Sequence, residues 1–396
     1  MITMKSKPLF LHDNLDEYFY NRKNDINKLK YQINSLNYSL PQQILLTGYR
    51  GVGKTYLLKK IMTEIEPNII CTYIDIAQIY AQEEDELTKE TILIELLKEM
   101  NKAIQSKNYK NKYKAKITEL IDNLKLKKYD FHDITELLNI PIPKTETNYR
   151  KLSQFTMEFP QKIVDEIDEV TGFVIIIDEF QMLKKIKDLD KLFWLIRSYS
   201  QTQHNVTYIF TGSISRSSEI INELNGEGGP FGGRLQQITI QPFTKKETKS
   251  YFKEKMSEIK FTEEGFERFY KCTRGIPLYI NSFYNVMDSS QLYTPEVVKE
   301  TFFTNMEQIL IMWIKVWSSL NDNEKHIVKQ LVDEDSLTWS ELFEKTNVSR
   351  GTFNKYLTNL KYKGILNYTN KKYSIEDEML KTWLKHEKEV YGIYPL

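Results

Sequence analysis

One short motif constrains the fold of this chain more than any other stretch of its 396 residues. The motif has the pattern G-x-x-x-x-G-K-[ST], and its residues are Gly48, Tyr49, Arg50, Gly51, Val52, Gly53, Lys54 and Thr55. Glycines at these positions let backbone N–H groups point at phosphate oxygens, the lysine can reach the β- and γ-phosphates, and the threonine hydroxyl can ligate Mg²⁺. An apolar run at 44–46 predicts a strand before the motif, and residues 56–62 predict a helix after it. This context predicts a phosphate-binding P-loop, with ATP held by residues 48–55 and by Tyr56.

A pair of acidic residues forms a second motif at the end of another predicted strand. Residues 173–177 are an unbroken apolar run, typical of a strand buried on both faces, and Asp178 and Glu179 follow directly. In P-loop NTPases a carboxylate at such a strand end holds Mg²⁺. The next carboxylate can orient and deprotonate the attacking water. Two acidic residues that end a core strand are common in isolation. Together with the upstream P-loop, however, they predict Thr55 and Asp178 as Mg²⁺ ligands and Glu179 as the catalytic base.

Composition narrows the class of protein without naming a partner. The net charge is +1, so no global field favours nucleic acid or an anionic membrane, and any basic surface must be local. The two cysteines, Cys71 and Cys272, form neither a disulfide framework nor a metal-ligand spacing. The longest apolar runs are strand-sized and the first residues lack a signal-peptide pattern. We therefore expect a cytoplasmic protein without a membrane partner.

The order of the patterns predicts an α/β fold with four parts. Repeated strand and helix patterns with long crossovers imply a parallel sheet with helices on both faces. Near the end of the chain, a helix, a helix–turn–helix pair and a small hairpin form the winged-helix arrangement. The predicted parts are an N-terminal lead-in helix (1–40), a P-loop ATPase core (41–243) with a helical insertion (78–150), a helical lid (244–300) and a winged-helix domain (301–396). Lysines crowd residues 101–129 of the insertion, which are either a solvated helical hairpin or a nucleic-acid patch.

Four motifs in the same order resemble the archaeal-type ATPases of the AAA+/STAND group of P-loop NTPases. They are the P-loop, Asp178-Glu179, Gly212-Ser213 and Gly233-Arg234. Many members of this group carry a C-terminal winged helix, and the resemblance covers nearly the whole chain. It extends to the lead-in residues 19–22, to residues 178–181 of the Walker B signature, to the sensor-1 strand at 210–213 and to the lid motif at 275–278. Tyr49 departs from the proline that is common after the first glycine.

The resemblance implies roles for further residues, each with an alternative. Ser213, or Thr211 two residues earlier, becomes the candidate sensor 1, although an ordinary strand-end hydroxyl also fits. Arg234 becomes the candidate arginine finger, acting within its chain or toward a neighbouring subunit of a homo-oligomer, or it is a surface arginine. Pro277 becomes a candidate adenine contact, and it also suits the first position of a helix.

The predicted winged helix offers a candidate interface for double-stranded DNA. Its net positive charge is concentrated in residues 336–373, and Ser349 can cap the second helix of the pair. A recognition helix in a major groove presents the residues near its start to base edges, and a wing contacts the backbone. The candidate contacts are Arg350, Asn354, Lys355, Lys361, Lys371 and Lys372. In the alternative reading this unit packs on the core or on a protein partner and its lysines are solvated.

The sequence therefore predicts an ATPase that couples Mg²⁺-dependent hydrolysis to a conformational change, with DNA as a candidate partner. The alternative is a slow-turnover nucleotide switch or scaffold whose winged helix binds protein. A third class is a DNA-binding regulator in which ATP is secondary. The carboxylate pair favours the first hypothesis, because a pure binder does not need a catalytic base.

Overall fold

The computed structural model describes residues 6–9, 11–83, 86–106, 131–132, 142–143, 149–186, 189–212 and 219–395. Ser213 and most of the lysines predicted to form a hairpin or a basic patch lie outside the described residues. Among the described helices, none combines the length and the apolar character needed to cross a bilayer.

The N-terminal half alternates strands and helices, as the sequence predicts. Its first elements are α1 (Leu15–Tyr18), α2 (Lys23–Asn34), β1 (Ile44–Gly48), α3 (Lys54–Glu64), β2 (Ile69–Asp75), α4 (Ile76–Gln82) and α5 (Lys89–Ser106). Two short antiparallel strands follow, β3 (Phe131–His132) and β4 (Ile142–Pro143). The half ends with α6 (Tyr149–Glu166), β5 (Gly172–Asp178), α7 (Leu189–Ser200), β6 (Val206–Thr211), α8 (Glu219–Asn225) and β7 (Gln236–Ile240).

Five of these strands form one parallel sheet in the order β2-β5-β6-β1-β7. The strands all run the same way, so their carboxyl ends share one edge. The P-loop follows β1 and the acidic pair follows β5, and the end of β6 lies between them. Open α/β sheets bind ligands at this edge.

Side chains of the central strands alternate between two apolar layers, as the period of a strand requires. Phe173, Ile175 and Ile177 of β5 point into a cluster with α5, α6 and α7. Val174 and Ile176 point into the opposite cluster with α2 and α3, here called the α3-side cluster. Helices therefore cover both faces of the sheet, and the predicted α/β P-loop fold is confirmed.

In the first part of the C-terminal half, threonine side chains cap the N-termini of three helices. Thr244 caps the first helix in a reciprocal capping box with Glu247, and Thr262 and Thr294 cap two others. The elements are α9 (Lys245–Lys255), β8 (Lys260–Phe261), α10 (Glu263–Thr273), α11 (Pro277–Tyr284), β9 (Leu292–Tyr293), α12 (Pro295–Thr304), α13 (Met306–Ile309) and α14 (Ile311–Ser318).

The last elements form the predicted winged helix and one more helix. They are α15 (Asp322–Glu334), β10 (Ser336–Thr338), α16 (Trp339–Glu344), α17 (Arg350–Tyr362), β11 (Leu366–Thr369), β12 (Lys372–Ile375) and α18 (Glu378–Tyr391). The three strands pair antiparallel in the order β10-β12-β11. Buried side chains from Phe243 to Leu384 belong to one hydrophobic cluster, here called the C-terminal cluster. The helices after β7 and the winged helix therefore share a continuous core.

Candidate active site

The P-loop backbone adopts a conformation that suits glycine. The φ angles of Gly48, Gly51 and Gly53 are 152°, 81° and 90°, a region that residues with a Cβ rarely occupy. A Cβ at Gly48 would lie 2.6 Å from the carbonyl oxygen of Ile240, and one at Gly51 would lie 2.6 Å from Cβ of Leu278. Two of the three glycines are thus also required by close approach, one to β7 and one to α11.

Lys54 opens α3 with its side chain folded under the loop. Its Nζ donates to the carbonyl oxygens of Gly48 at 2.9 Å and Tyr49 at 3.1 Å, and the residue is only 6% exposed. Burial lowers the pKa of Lys54 to about 8, although the carboxylates of Glu179 and Asp178 act in the opposite direction. Because burial disfavours the charged form of Lys54, an anion beside the ammonium would stabilise that form, and a phosphate group is such an anion.

Thr55 and Asp178 meet across the carboxyl edge of the sheet. The Thr55 hydroxyl donates to Oδ2 of Asp178 at 3.0 Å, and the Tyr73 hydroxyl donates to the same oxygen at 2.8 Å. The N–H of Glu179 donates to Oδ1 at 2.8 Å. Burial raises the pKa of Asp178, while these three hydrogen bonds lower it. A hydroxyl and a carboxylate at this separation are the hard oxygen ligands that Mg²⁺ prefers, so the residues present fit this ion.

Glu179 follows in a left-handed conformation with φ of 50°. Burial and the adjacent Asp178 raise the pKa of its carboxyl. The side-chain amide of Gln181 donates to Oε2 of Glu179. A Cβ at Gly212 would lie 1.9 Å from Oε1 of Gln181, so the glycine at the end of β6 leaves the room that Gln181 occupies. Gln181 lies within the Walker B signature at 178–181, and the sequence pattern assigns it no role.

The contact between Gly212 and Gln181 leads to a first prediction. We expect Gly212→Ala to lower turnover more than nucleotide affinity, because the new methyl group displaces the amide that contacts Glu179 and leaves the P-loop untouched. Overpacking of this kind typically costs about 1–3 kcal/mol, so thermal stability should also fall. Adding Gln181→Ala removes the clash and should restore stability without restoring turnover. An equal loss of affinity and turnover in Gly212→Ala would contradict this explanation.

A cavity of about 330 Å³ lies beside the P-loop, between the lead-in segment and α11. Its lining includes Arg50, Tyr56, Phe243, Tyr251 and Pro277. Pro277 is also the first residue of α11, so both of its predicted readings are compatible with its position. The next residue of that helix contacts the loop directly, because the N–H of Leu278 donates to the carbonyl oxygen of Gly51 at 3.2 Å.

Arg22 connects the lead-in segment to the P-loop by hydrogen bonds. Its guanidinium donates to the carbonyl oxygens of Gln241 at 2.6 Å and Val52 at 2.9 Å, and it lies 4.6 Å from the ring centroid of Phe243. Burial lowers the pKa of Arg22, and nearby Asp25 and Glu247 raise it. The sequence resemblance included this arginine, and the structure places its guanidinium against the P-loop.

Arg234 is not brought to the P-loop of its own chain. It is exposed and precedes β7, whose first residue, Gln236, pairs with Ile44 at the start of β1. Arg234 therefore lies at the end of the sheet opposite the P-loop. An action within its own chain has no support in this arrangement, and an action toward a neighbouring subunit stays a prediction. Thr211, the alternative sensor residue, is fully buried at the end of β6, and within the described part of the chain its hydroxyl lacks a hydrogen-bond partner.

Comparison with protein families identifies the N-terminal part. A family described as an ATPase domain predominantly from Archaea matches residues 19–283. The chain belongs to this family of archaeal-type ATPases. A second family, described as a winged helix-turn-helix DNA-binding domain, matches residues 320–367. No curated protein sequence matches this ATPase.

Several solved structures share the fold of the whole ATPase. A Walker-type ATPase of Pyrococcus abyssi is 18% identical with a TM-score of 0.61, and the match covers 93% of this chain and 97% of that one. The ORC1 protein of Aeropyrum pernix in complex with DNA is 12% identical with a TM-score of 0.50, over 98% and 97% of the two chains. The ADP form of the ORC2 protein of the same organism is 11% identical with a TM-score of 0.51, over 98% of each chain. Identities this low support the fold and leave the partners open.

The winged helix of the ATPase exposes most of the predicted contact residues. Ser349 caps α17, as predicted, by accepting from the N–H of Thr352. Two of the candidates have contacts within the winged helix: Asn354 accepts from the Trp339 indole N–H at 2.9 Å, and Nζ of Lys361 lies 5.3 Å from the ring centroids of Tyr368 and Tyr373. All the candidates except Lys361 are exposed: Arg350, Asn354, Lys355, Lys371 and Lys372.

Proposed function

We propose that this ATPase binds ATP with Mg²⁺ at the P-loop, hydrolyses it with Glu179 as general base, and couples hydrolysis to a conformational change that acts on double-stranded DNA. The observation that carries the proposal is the convergence of four side chains at one sheet edge. Thr55 donates to Asp178 at 3.0 Å, and Lys54 and Glu179 lie close enough to shift each other's pKa.

Each of these side chains has a separate task. The ammonium of Lys54 and the N-terminus of α3 would stabilise the negative charge of the phosphates. Thr55 and Asp178 would hold Mg²⁺, which neutralises charge on the phosphate oxygens when bound. The carboxylate of Glu179 would take a proton from the attacking water, and Gln181 would hold that carboxylate in place.

We also propose roles for three further positions. Thr211 or Ser213 would sense the γ-phosphate, Pro277 would contact the adenine, and Arg234 would act as an arginine finger toward a neighbouring subunit of a homo-oligomer. The division into lead-in, core, lid and winged-helix domain at residues 40, 243 and 300 is also a proposal, as is a cytoplasmic location.

Duplex DNA is the proposed partner of the winged helix because the exposed basic residues lie where a recognition helix and a wing meet DNA. Arg350 and Lys355 lie in the first turns of α17, and Lys371 and Lys372 lie at the tip of the β11–β12 hairpin. The similar ORC1 protein of Aeropyrum pernix was solved with DNA. A protein partner is the second candidate, favoured by the contacts that occupy Asn354 and Lys361 within the winged helix.

Salt dependence tests the DNA partner. Log K for duplex DNA should fall linearly with log salt, by roughly 0.9 per phosphate neutralised. Replacing Arg350, Lys355, Lys371 and Lys372 together by alanine should flatten that slope by up to about 3.6. The measurement is a titration of the full chain with a labelled duplex at several salt concentrations.

A charge-matched variant controls for net charge alone. Four exposed lysines on α2 and α9, outside the winged helix, serve this purpose when replaced by alanine: Lys23, Lys28, Lys246 and Lys253. This variant should keep the slope of the wild type. If the wild type shows no salt-dependent binding at low ionic strength, DNA is the wrong partner and the slow-turnover scaffold that binds protein is favoured.

A further inference from the structure

Tyr49 points away from the nucleotide cavity and toward the C-terminal half of the chain. Its hydroxyl donates to Oδ2 of Asp377 at 2.6 Å, across 328 residues of sequence. Its ring packs against both the α3-side cluster and the C-terminal cluster. Tyr49, which departs from the common proline, is thus a P-loop side chain that donates a hydrogen bond to Asp377.

Asp377 is a buried carboxylate that accepts four hydrogen bonds. It is 1% exposed. Its Oδ2 accepts from the hydroxyls of Tyr49 at 2.6 Å and Tyr279 at 2.5 Å. Its Oδ1 accepts from the N–H groups of Met379 at 2.8 Å and Leu380 at 3.0 Å and so caps α18. Hydrogen bonds to a charged group are stronger than neutral ones, and a buried carboxylate that lost one would be destabilised.

The donors come from three parts of the fold. Tyr49 belongs to the P-loop, Tyr279 to α11 and the two amides to α18, which packs against α15 and β12 of the winged helix. The indole N–H of Trp313 extends the network by donating to the Tyr279 hydroxyl at 2.5 Å. Burial and the charge of Asp377 raise the pKa of both tyrosines, so their hydroxyls remain the donors. A movement of the P-loop at Tyr49 therefore changes the environment of the α18 cap.

We propose that Asp377 is a positioning residue of the nucleotide site, which through Tyr49 holds the P-loop in its binding conformation and links nucleotide occupancy to the winged helix. The inference rests on the proposed binding of nucleotide at the P-loop. By linkage the effect is reciprocal: if the bond between Tyr49 and Asp377 favours nucleotide binding, bound nucleotide stabilises that bond and the cap on α18.

Two conservative variants of the full chain test this link, with ADP as the probe. Tyr49→Phe removes one hydroxyl and keeps the ring. Asp377→Asn keeps an oxygen to cap α18 and places an amide donor opposite the two tyrosine hydroxyls. Each should weaken ADP binding by about tenfold, which is the size expected for one hydrogen bond to a charged group. The double variant should bind ADP no more weakly than Asp377→Asn alone, because that variant already removes the carboxylate that accepts from the Tyr49 hydroxyl.

Hydrogen exchange supplies a readout that a merely structural role would not move. In the wild type, ADP should slow exchange of the Met379 and Leu380 amides severalfold, and in Tyr49→Phe this effect should disappear. Tyr208→Phe is the matched control, because it also removes a buried tyrosine hydroxyl. That hydroxyl donates to Oε1 of Gln203 at a distance of 3.1 Å and has no contact with the P-loop among the hydrogen bonds of the described residues. It should keep both the ADP affinity and the exchange response of the wild type.

Lys54→Ala separates failure of the link from failure of the P-loop assignment. If Lys54→Ala loses ADP binding while Tyr49→Phe and Asp377→Asn bind as the wild type, the link is overturned and the nucleotide site stands. If Lys54→Ala also binds as the wild type, the proposed site itself is wrong. Additive losses in the double variant would likewise overturn the link. Should Asp377→Asn fail to fold, the affinity and exchange of Tyr49→Phe decide alone.

Discussion

Replacing Lys54 by alanine should lower nucleotide affinity by at least about 100-fold, because charged hydrogen bonds contribute about 1.5–3 kcal/mol each and a phosphate accepts more than one. The buried ammonium contacts two P-loop carbonyls, and burial lowers its pKa to about 8. The variant loses both the charge that attracts phosphate and the side chain that braces the loop. Titration with a fluorescent ADP analogue measures the effect.

Lys60→Ala is the control for this prediction. Lys60 lies on the same helix, and its ammonium pairs with Asp16 at 2.7 Å and Glu64 at 3.3 Å on the outer surface. Surface ion pairs contribute little, so this variant should bind as the wild type. A wild-type affinity in Lys54→Ala would contradict the P-loop assignment. An equal loss in both variants would point to general destabilisation or a nonspecific charge effect.

Local patterns predict the strands of the core better than their arrangement. The strands predicted at 44–46 and 173–177 lie within the observed strands Ile44–Gly48 and Gly172–Asp178, because each contains a continuous apolar run and ends at a glycine or an acidic residue. The sheet order is not readable in the same way. Placing β6 beside β1 depends on pairs of residues far apart in the chain, such as Ile44 with Ile209, whereas its pairing with β5 joins nearer residues, such as Phe173 with Val206. The sequence analysis predicts no helix at α18, although the spacing of its buried Met379, Leu380, Trp383 and Leu384 is helical.

In the candidate site, too, the local motifs predict some contacts, and the others depend on the arrangement of the strands. The motifs predict that Lys54, Thr55, Asp178 and Glu179 lie close together, because each motif follows a strand of a parallel sheet. The position of Arg234 needed the register of β7 on β1, which motif order does not contain. The contact between Gln181 and Gly212 required the ends of β5 and β6 to be adjacent, although a glycine at a strand end was a signal that could have been followed.

Replacing Glu179 by glutamine should slow hydrolysis by about 10²- to 10⁴-fold and leave nucleotide affinity nearly unchanged. The amide has the shape of the carboxyl group and cannot accept a proton from water. Asp178→Asn should behave differently, because Asp178 accepts from Thr55 and Tyr73 and is the proposed Mg²⁺ ligand. There we expect the Mg²⁺-dependent part of nucleotide affinity to fall. Steady-state turnover and ADP titrations with and without Mg²⁺ measure both effects.

Glu64→Gln controls for the loss of one carboxylate, because Glu64 pairs with Lys30 at 2.8 Å on the outer side of α3. The turnover of this variant should match that of the wild type.

Two outcomes would change the proposed function in different ways. A wild-type rate in Glu179→Gln would remove Glu179 from the role of general base. A wild-type rate already as slow as that of Glu179→Gln would favour the nucleotide switch, because the carboxylate would then add nothing to turnover. In that case the αL backbone of Glu179 and its contact with Gln181 would hold the carboxylate away from the water that it must deprotonate.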